Sequence, residues 1–407
     1  MTDADAIRVA VVCDYPEENW PSMDLTAEMI LAHMASGHPG EVNAARVCPT
    51  YRHRLSRLPV IGRRGTLLNA DRFLNRLHDY PRALGRIARR GEFDLYHVVD
   101  HSYSQLVRVL PAGRAVVTCH DLDTFRCLLE PALEPRPAWF RAMARRILGG
   151  LRLAAAVACD SEATRDGLIA HDIVPSDRLH VVYLGTHPEC SPDADADADA
   201  EADRLLGPVV PGAPPDLLHV GSNIPRKRVD VLLSVFAALR RETPGARLIK
   251  VGGAFPDDLA RQSRALGVDD AVVRLPYFSP RSHSDRSVLA AVYRRASLVL
   301  LPSEAEGFGL PAAEALACGA PLLASDIPVL REVAGDAAVY RPVGDIPGWT
   351  EAAHFLLNER RLSPDSWRAR RALGLARARL FSWSTHADRL VSIYREVLSR
   401  PNAPSSR

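Results

Sequence analysis

Lysine is nearly missing from this chain of 407 residues: of 51 basic residues only Lys227 and Lys250 are lysines. Such a skew reflects coding bias, so a surviving lysine is by itself a weak flag. Charge of either sign is not in excess either. The formal net charge is +2, and no global field draws the chain to nucleic acid. The seven cysteines are odd in number, scattered and without a C-x-x-C pair, which excludes a disulfide-stapled scaffold and fits reduced, buried thiols. No run of about 18 apolar residues exists, so no transmembrane helix is expected. The acidic start MTDADAIRVA is no signal peptide. A P-loop, a G-x-G-x-x-G after the first strand and a G-x-S-x-G elbow are all absent, which removes ATPase, dinucleotide-oxidoreductase and serine-hydrolase readings. With 47% hydrophobic and 25% charged residues, what remains is a cytoplasmic, multi-domain α/β protein.

Short runs rich in Val, Ile and Leu alternate with amphipathic stretches of helix length, the pattern of βαβ units on a parallel sheet. The first half carries such runs at 7–13, 93–99, 115–120, 154–160 and 179–185, the second at 216–222, 247–253, 271–277, 297–303, 320–326 and 337–342. Between the halves the acidic run CSPDADADADAEADR and the prolines after it predict an exposed linker over 190–212, because charge repulsion and missing apolar residues leave nothing to pack. Two doubly wound domains follow: 1–189, and 213–382. The closing stretch 383–407 predicts a helix with apolar positions at Ala387, Leu390, Ile393, Tyr394 and Val397.

Two constellations carry chemistry. In PSEAEGFGLPAAEALACGAPLLASD, residues 302–326, a strand leads into a helix whose first position is expected at Pro311. Gly307 and Gly309 let a ligand approach the backbone, and amides from Phe308 through Leu310 to Ala312 would face an anion such as a pyrophosphate. Glu306 and Glu314 flank that site and suit sugar or ribose hydroxyls; the bland alternative is a capping glutamate on an ordinary helix, the reading favoured for Glu304. In HVGSNIPRKRVDVLL, residues 219–233, Arg226, Lys227 and Arg228 stand at a helix entrance, where cations oppose the helix dipole unless an anion binds. A solvated face is the alternative there. His120, ending VVTCH with Asp121 after it, and the neighbouring HVVDHSYS with His97, Asp100 and His101 form a polar group at two strand ends. Their spacing is no recognisable metal set. The D-x-D strings at 193–199 and at Asp121 and Asp123 imply no cation.

These residues resemble the retaining group 1 glycosyltransferases of family 4, over nearly the whole chain and most densely at 216–345. PSEAEGFGLPAAEALACGAP is similar to the family's Glu-x7-Glu element at Glu306 and Glu314, and VGSNIPRKRVDVLL to its basic donor-phosphate loop at Arg226 and Lys227. VVTCHDL is similar to the strand ending in the family's active-site histidine, here His120. The resemblance implies a GT-B fold: two Rossmann-like domains facing a central cleft, with the last helix, 383–407, crossing back to the first domain. It implies an N-terminal acceptor domain and a C-terminal nucleotide-sugar domain. The expected catalytic residues are His120, Arg226, Lys227 and Glu306; the expected donor-binding residues are Gly221, Ser222, Tyr277, Gly307, Phe308, Gly309, Leu310 and Glu314. The first loop departs from the family. Where many members have Gly-Gly, this chain has DYPEENWPSM, so acceptor binding is assigned instead to Trp20, Asp100 and His101.

The expected function is transfer of a sugar from a nucleotide diphosphate sugar to a hydroxyl acceptor (glycan, lipid-linked saccharide or natural product) with retention, without metal or cofactor. A GT-B phosphorylase, a nucleotide-sugar epimerase and a non-catalytic nucleotide-sugar-binding protein are the alternatives. Segment 46–90, with twelve arginines against Asp71 and Asp79, is either a solvated face or a peripheral contact with the anionic inner face of the membrane. If Arg52, Arg54, Arg57, Arg63, Arg64, Arg72 and Arg76 form one exposed face, the N-terminal domain is expected to bind anionic membrane. The oligomeric state is not legible in the sequence.

Overall fold

Strands buried on both sides are mostly apolar, and the runs at 95–98, 115–119, 156–159, 298–301 and 322–325 have no exposed residue. The computed structural model describes residues 6–18, 20–57, 65–210, 212–279 and 282–400. It divides into unit 1, Met1–Tyr183 with Trp383–Arg407, and unit 2, Leu184–Ser382.

Unit 1 holds β1 (Ile7–Val12), β2 (Val42–Val47), β3 (Leu95–Val98), β4 (Ala115–Cys119), β5 (Ala156–Cys159) and β6 (Leu179–Val181). All pair in parallel, in the order β2-β1-β3-β4-β5-β6. β2 was not among the expected strands: it is an edge strand with a mixed face, VNAARV, and carries no apolar run. One face of this sheet is covered by the last helix, Trp383–Ser399, through Ala387, Leu390, Val391, Ile393, Tyr394 and Val397. His97 points into that packing, its Nδ1 2.6 Å from the Tyr394 hydroxyl and its Nε2 2.7 Å from Thr118 Oγ1. It belongs to the core, and burial pushes its pKa down to about 3.

Unit 2 holds β7 (Asp216–Val220), β8 (Arg247–Val251), β9 (Val272–Leu275), β10 (Leu298–Leu301), β11 (Leu322–Ser325) and β12 (Ala338–Arg341), in the order β9-β8-β7-β10-β11-β12. Sequence order reverses at one point in each sheet, between β1 and β3 in unit 1 and between β7 and β10 in unit 2. Loops diverge to opposite faces there and leave a crevice at the carboxyl ends of the strands.

The expected linker over 190–212 is not one. Residues Ala196–Leu206 form a helix of unit 2, capped by Asp195, which accepts from the Ala198 amide at 3.1 Å. Ala198, Ala202 and Leu206 are its buried stripe, and alanine is the strongest helix former. Arg294 and Arg295 neutralise the acids, through Asp199 at 2.6 Å and Asp203 at 3.1 Å.

Nor do the arginines of 46–90 make one exposed face. Arg76 is mostly buried, its guanidinium 4.1 Å above the Tyr103 ring, and Arg54 pairs with Asp79 at 2.6 Å. Arg63 and Arg64 lie outside the described residues. The exposed arginines that do share a helix face are Arg82, Arg86, Arg89 and Arg90, on Tyr80–Arg90.

Candidate functional site

In unit 2 the loops after β7 and β10 meet at the switch point. The β7 loop runs from Gly221 to a helical turn, Pro225–Lys227, and Arg228 then takes φ 48°, ψ 46°, a left-handed conformation that an L-residue rarely adopts. Ion pairs of Arg228 with Asp230 at 2.9 Å and Glu304 at 3.6 Å hold it there. The turn aims Lys227 at the β10 loop, where its Nζ lies 2.7 Å from both carboxylate oxygens of Glu306. Ser303 donates to Glu306 Oε1 at 2.7 Å, while Arg226 donates to the Ala305 carbonyl at 2.9 Å and stands 3.5 Å from Glu306 Oε2. Burial opposes the Glu306 charge, but Lys227 and Arg226 outweigh it and hold its pKa below the usual range. Glu306 and Lys227 are thus a buried ion pair beside a second cation.

Gly309, at φ 86°, ends the loop, and the next helix is Leu310–Ala317. Its first residue is Leu310, not Pro311, and the Ala312 amide already bonds the Gly309 carbonyl at 2.8 Å, so it is no anion donor. The Phe308 ring is buried, 5.3 Å from that of Phe381. Glu314 lies within the helix, accepts from the Tyr293 hydroxyl at 2.9 Å, and burial pushes its pKa up to about 7. On the far side, Tyr277 packs at 3.5 Å from where a Cβ on Gly253 would sit, and Ser222 hydrogen-bonds its hydroxyl.

The second lysine of the chain, which its sequence setting left as a weak flag, belongs beside this site. Lys250 faces inward from β8, fully buried, and donates to the Gly221 carbonyl at 2.6 Å and the Val251 carbonyl at 3.0 Å. It thereby ties the tips of β7 and β8 at the start of the phosphate-type loop. Burial, then the nearby Lys227 charge, lower its pKa to about 7. Close approach is built in: a Cβ on Gly252 would lie 1.9 Å from the Gly221 oxygen. The signal in the sequence was a charge inside the apolar run RLIKV.

In unit 1 the β4 end positions His120, whose Nδ1 donates to Asp160 at 2.5 Å and whose Nε2 donates to the Val99 carbonyl at 2.8 Å. Burial disfavours its charge, yet Asp160 outweighs it and raises the pKa to about 9. With both nitrogens engaged, His120 is a fixed imidazolium rather than a general base. Asp100 and His101 are buried beside it, the His120 amide donating to His101 Nδ1 at 3.3 Å. Trp20 precedes the helix Pro21–Gly37, is 51% exposed, and is not part of this buried group. Asp14, Glu18 and Arg76 are: the first two lie in the departing first loop, DYPEENWPSM, and Arg76 was expected on an exposed face. No three His, Cys, Asp or Glu residues among the described ones form a metal-type group.

Residues 214–359 match the model of the group 1 glycosyl transferases, and residues 27–189 that of glycosyltransferase family 4. O-antigen chain mannosyltransferase B of Escherichia coli is 30% identical over 312 residues, 75% of this chain and 77% of its own. The chain belongs to the family 4 glycosyltransferases. Its fold is GT-B. The solved sucrose-phosphate synthase of Thermosynechococcus elongatus superposes with a TM-score of 0.71 at 20% identity, covering 97% of this chain and 99% of that one. HepE of Anabaena, solved with UDP-glucose, gives 0.67 at 16% identity, covering 97% and 100%. This glycosyltransferase accordingly transfers a sugar from a nucleotide-sugar donor. No described helix is long and apolar enough to cross a membrane.

Proposed function

We propose that this glycosyltransferase retains anomeric configuration, works without metal or cofactor, and uses unit 2 for the nucleotide diphosphate sugar and unit 1 for a hydroxyl acceptor. The observation that carries the reading is the buried Lys227–Glu306–Ser303 cluster with Arg226 at the unit 2 switch point. As the bond from the anomeric carbon to the β-phosphate oxygen breaks, negative charge grows on the leaving phosphate. Lys227 and Arg226 stabilise that charge, and Gly221, Ser222, Gly307, Gly309 and Leu310 line its approach. Glu306 holds Lys227 in place and accepts from sugar hydroxyls, while Glu314 receives the ribose and Tyr277 borders the base. His120 supplies a fixed positive charge on the unit 1 side. With no enzymic nucleophile, the acceptor oxygen attacks the face the phosphate leaves, and its proton passes to the departing phosphate oxygen.

A mannosyl donor is the first to test, given the mannosyltransferase among its relatives. Incubation with a panel of nucleotide sugars, scored for nucleotide release and for the anomeric configuration of the product, tests the reading. Release from one donor with an inverted product overturns retention; release only with free phosphate would favour a phosphorylase. We also propose peripheral contact with anionic membrane through Arg82, Arg86, Arg89 and Arg90, each contributing about 1 kcal/mol at such a surface. Co-sedimentation with anionic but not neutral liposomes, lost in salt, is the expected result; equal binding to both refutes it.

A further inference from the structure

At the switch point of unit 1 two acids stand face to face. Val12 pairs with Val98, and the Val99 amide donates to the Val12 carbonyl at 3.1 Å, so Asp14, two residues beyond β1, falls opposite Asp100, two beyond β3. Both are buried, 5% and 6% exposed. Asp100 is fully engaged: Ser102 donates to it through its amide at 2.7 Å and through its hydroxyl, and His101 Nδ1 stands 3.5 Å away. Asp14 has one partner, Asp100, to which it gives its proton, and no group donates to either of its own oxygens. His101 Nε2 and the Tyr15 hydroxyl, also buried, have no hydrogen-bond partner. Buried polar atoms are nearly always satisfied, so several orphans at one strand end point to something that binds there. Arg76 is spent elsewhere, on Glu18 at 3.5 Å, on the Ser102 carbonyl and on the Tyr103 ring.

We propose that this switch point is a polyol subsite, in which the Asp14 carboxyl and His101 Nε2 bind neighbouring hydroxyl groups of a neutral acceptor. The proposal rests on the acceptor role given to unit 1. Three features select the ligand class. An anion would meet Asp100, whose charge is held against burial by His120 and the Ser102 donors. A metal ion finds no third ligand among the described residues. Burial and the adjacent Asp100 charge raise the pKa of Asp14 well above the ordinary range, so it keeps a proton. With its proton given to Asp100, the Asp14 carboxyl keeps an acceptor oxygen for a ligand hydroxyl. Because His101 Nδ1 accepts from the His120 amide, its proton sits on Nε2 and is available to a second hydroxyl. The first loop, DYPEENWPSM, thus reads the acceptor through Asp14 rather than through Trp20.

Ligand-observed NMR titrations of the full chain with methyl α-D-mannopyranoside and myo-inositol, against glucosamine and mannose 6-phosphate, test this. The neutral probes should bind best. Asp14→Asn, which keeps a donor and an acceptor, should stay within about threefold of wild type, whereas Asp14→Leu should weaken binding at least tenfold. Loss in the asparagine variant equal to that in the leucine variant, or preference for glucosamine, would show that a carboxylate charge is what binds. Unchanged binding in Asp14→Leu would sink the subsite outright. If that variant fails to fold, His101→Leu carries the same expectation. Nucleotide release by wild type is scored separately: release without polyol binding sinks the subsite alone, and polyol binding without release from any donor sinks the transferase reading instead.

Discussion

At the switch point of unit 2 a carboxylate meets two cations; at that of unit 1 two carboxyl groups meet each other. The backbone solution is the same in both, adjacent strands whose loops diverge, and the difference lies in what the loops carry. Lys227 and Arg226 balance Glu306, leaving the excess positive charge that a diphosphate needs. Asp14 opposes Asp100, and the local cations, Arg76 and the His120 imidazolium, are already committed to Glu18 and Asp160. On the proposed roles, one crevice suits an anion and the other opposes it. A transferase needs this asymmetry, because donor and acceptor must not exchange places.

The largest expected effect breaks the unit 2 side. Lys227→Ala should lower kcat/KM by two to three decades, the ~3 to 4 kcal/mol of a donor aimed at developing charge. It also strands part of a buried pair, and removing one partner of such a pair costs about 3 to 5 kcal/mol of stability. Activity and stability can be separated. Lys227→Met with Glu306→Gln should recover most of the thermal stability and none of the activity. A double variant with restored transfer would show that the pair is structural and the phosphate charge is met elsewhere. Neither change should alter polyol binding at unit 1 by more than about twofold, and coupled loss at both would erase the distinction between the crevices.

Legibility followed contiguity. Glu306, Gly307, Gly309 and Glu314 fall within one short string, and Arg226 with Lys227 in another, so the unit 2 site could be read along the chain. Asp14, Arg76 and Asp100 come from three separate segments and are joined only by strand register and the packing of Arg76 on Tyr103. Alternating Asp and Ala hid a helix at 196–206, because the eye weighs the acids while the alanines four apart do the packing. Lys250 was visible as a charge in an apolar strand, but its link to Gly221 depends on the pairing of β7 with β8.

A smaller effect sharpens the contrast through pH. Lys250 titrates near 7 folded against 10.5 in its ordinary state, so between those values the unfolded chain binds more protons and stability rises with pH. His120 titrates near 9 folded against 6.5, so its contribution is full below 6.5 and is lost as pH rises through 9. The two units therefore push in opposite directions between pH 7 and 9. In thermal melts across that window, Lys250→Met should make the slope of Tm against pH more negative. Asp160→Asn, which removes the partner of His120, should make it more positive. Shifts of the same sign in both variants would refute the opposition.

The smallest expected effect is none at all, and it concerns a divalent cation. In unit 2 the proposed partners of the phosphate are Lys227 and Arg226, and Glu306 beside them is already held by Lys227 and Ser303. A cation placed there would have to displace the Lys227 ammonium from Glu306 and then sit beside the guanidinium of Arg226. In unit 1 the Asp14 carboxyl, whose proton burial and Asp100 hold in place, is bonded to Asp100, and a protonated carboxyl is a poor ligand for a hard cation. Transfer should consequently stay within about twofold when EDTA is added to enzyme assayed with its donor and acceptor. Complete loss, restored by Mg²⁺ or Mn²⁺, would mean that a cation bridges the diphosphate. The division of labour would then have to be redrawn, with basic residues of unit 2 positioning the donor and a metal carrying the charge of the leaving group.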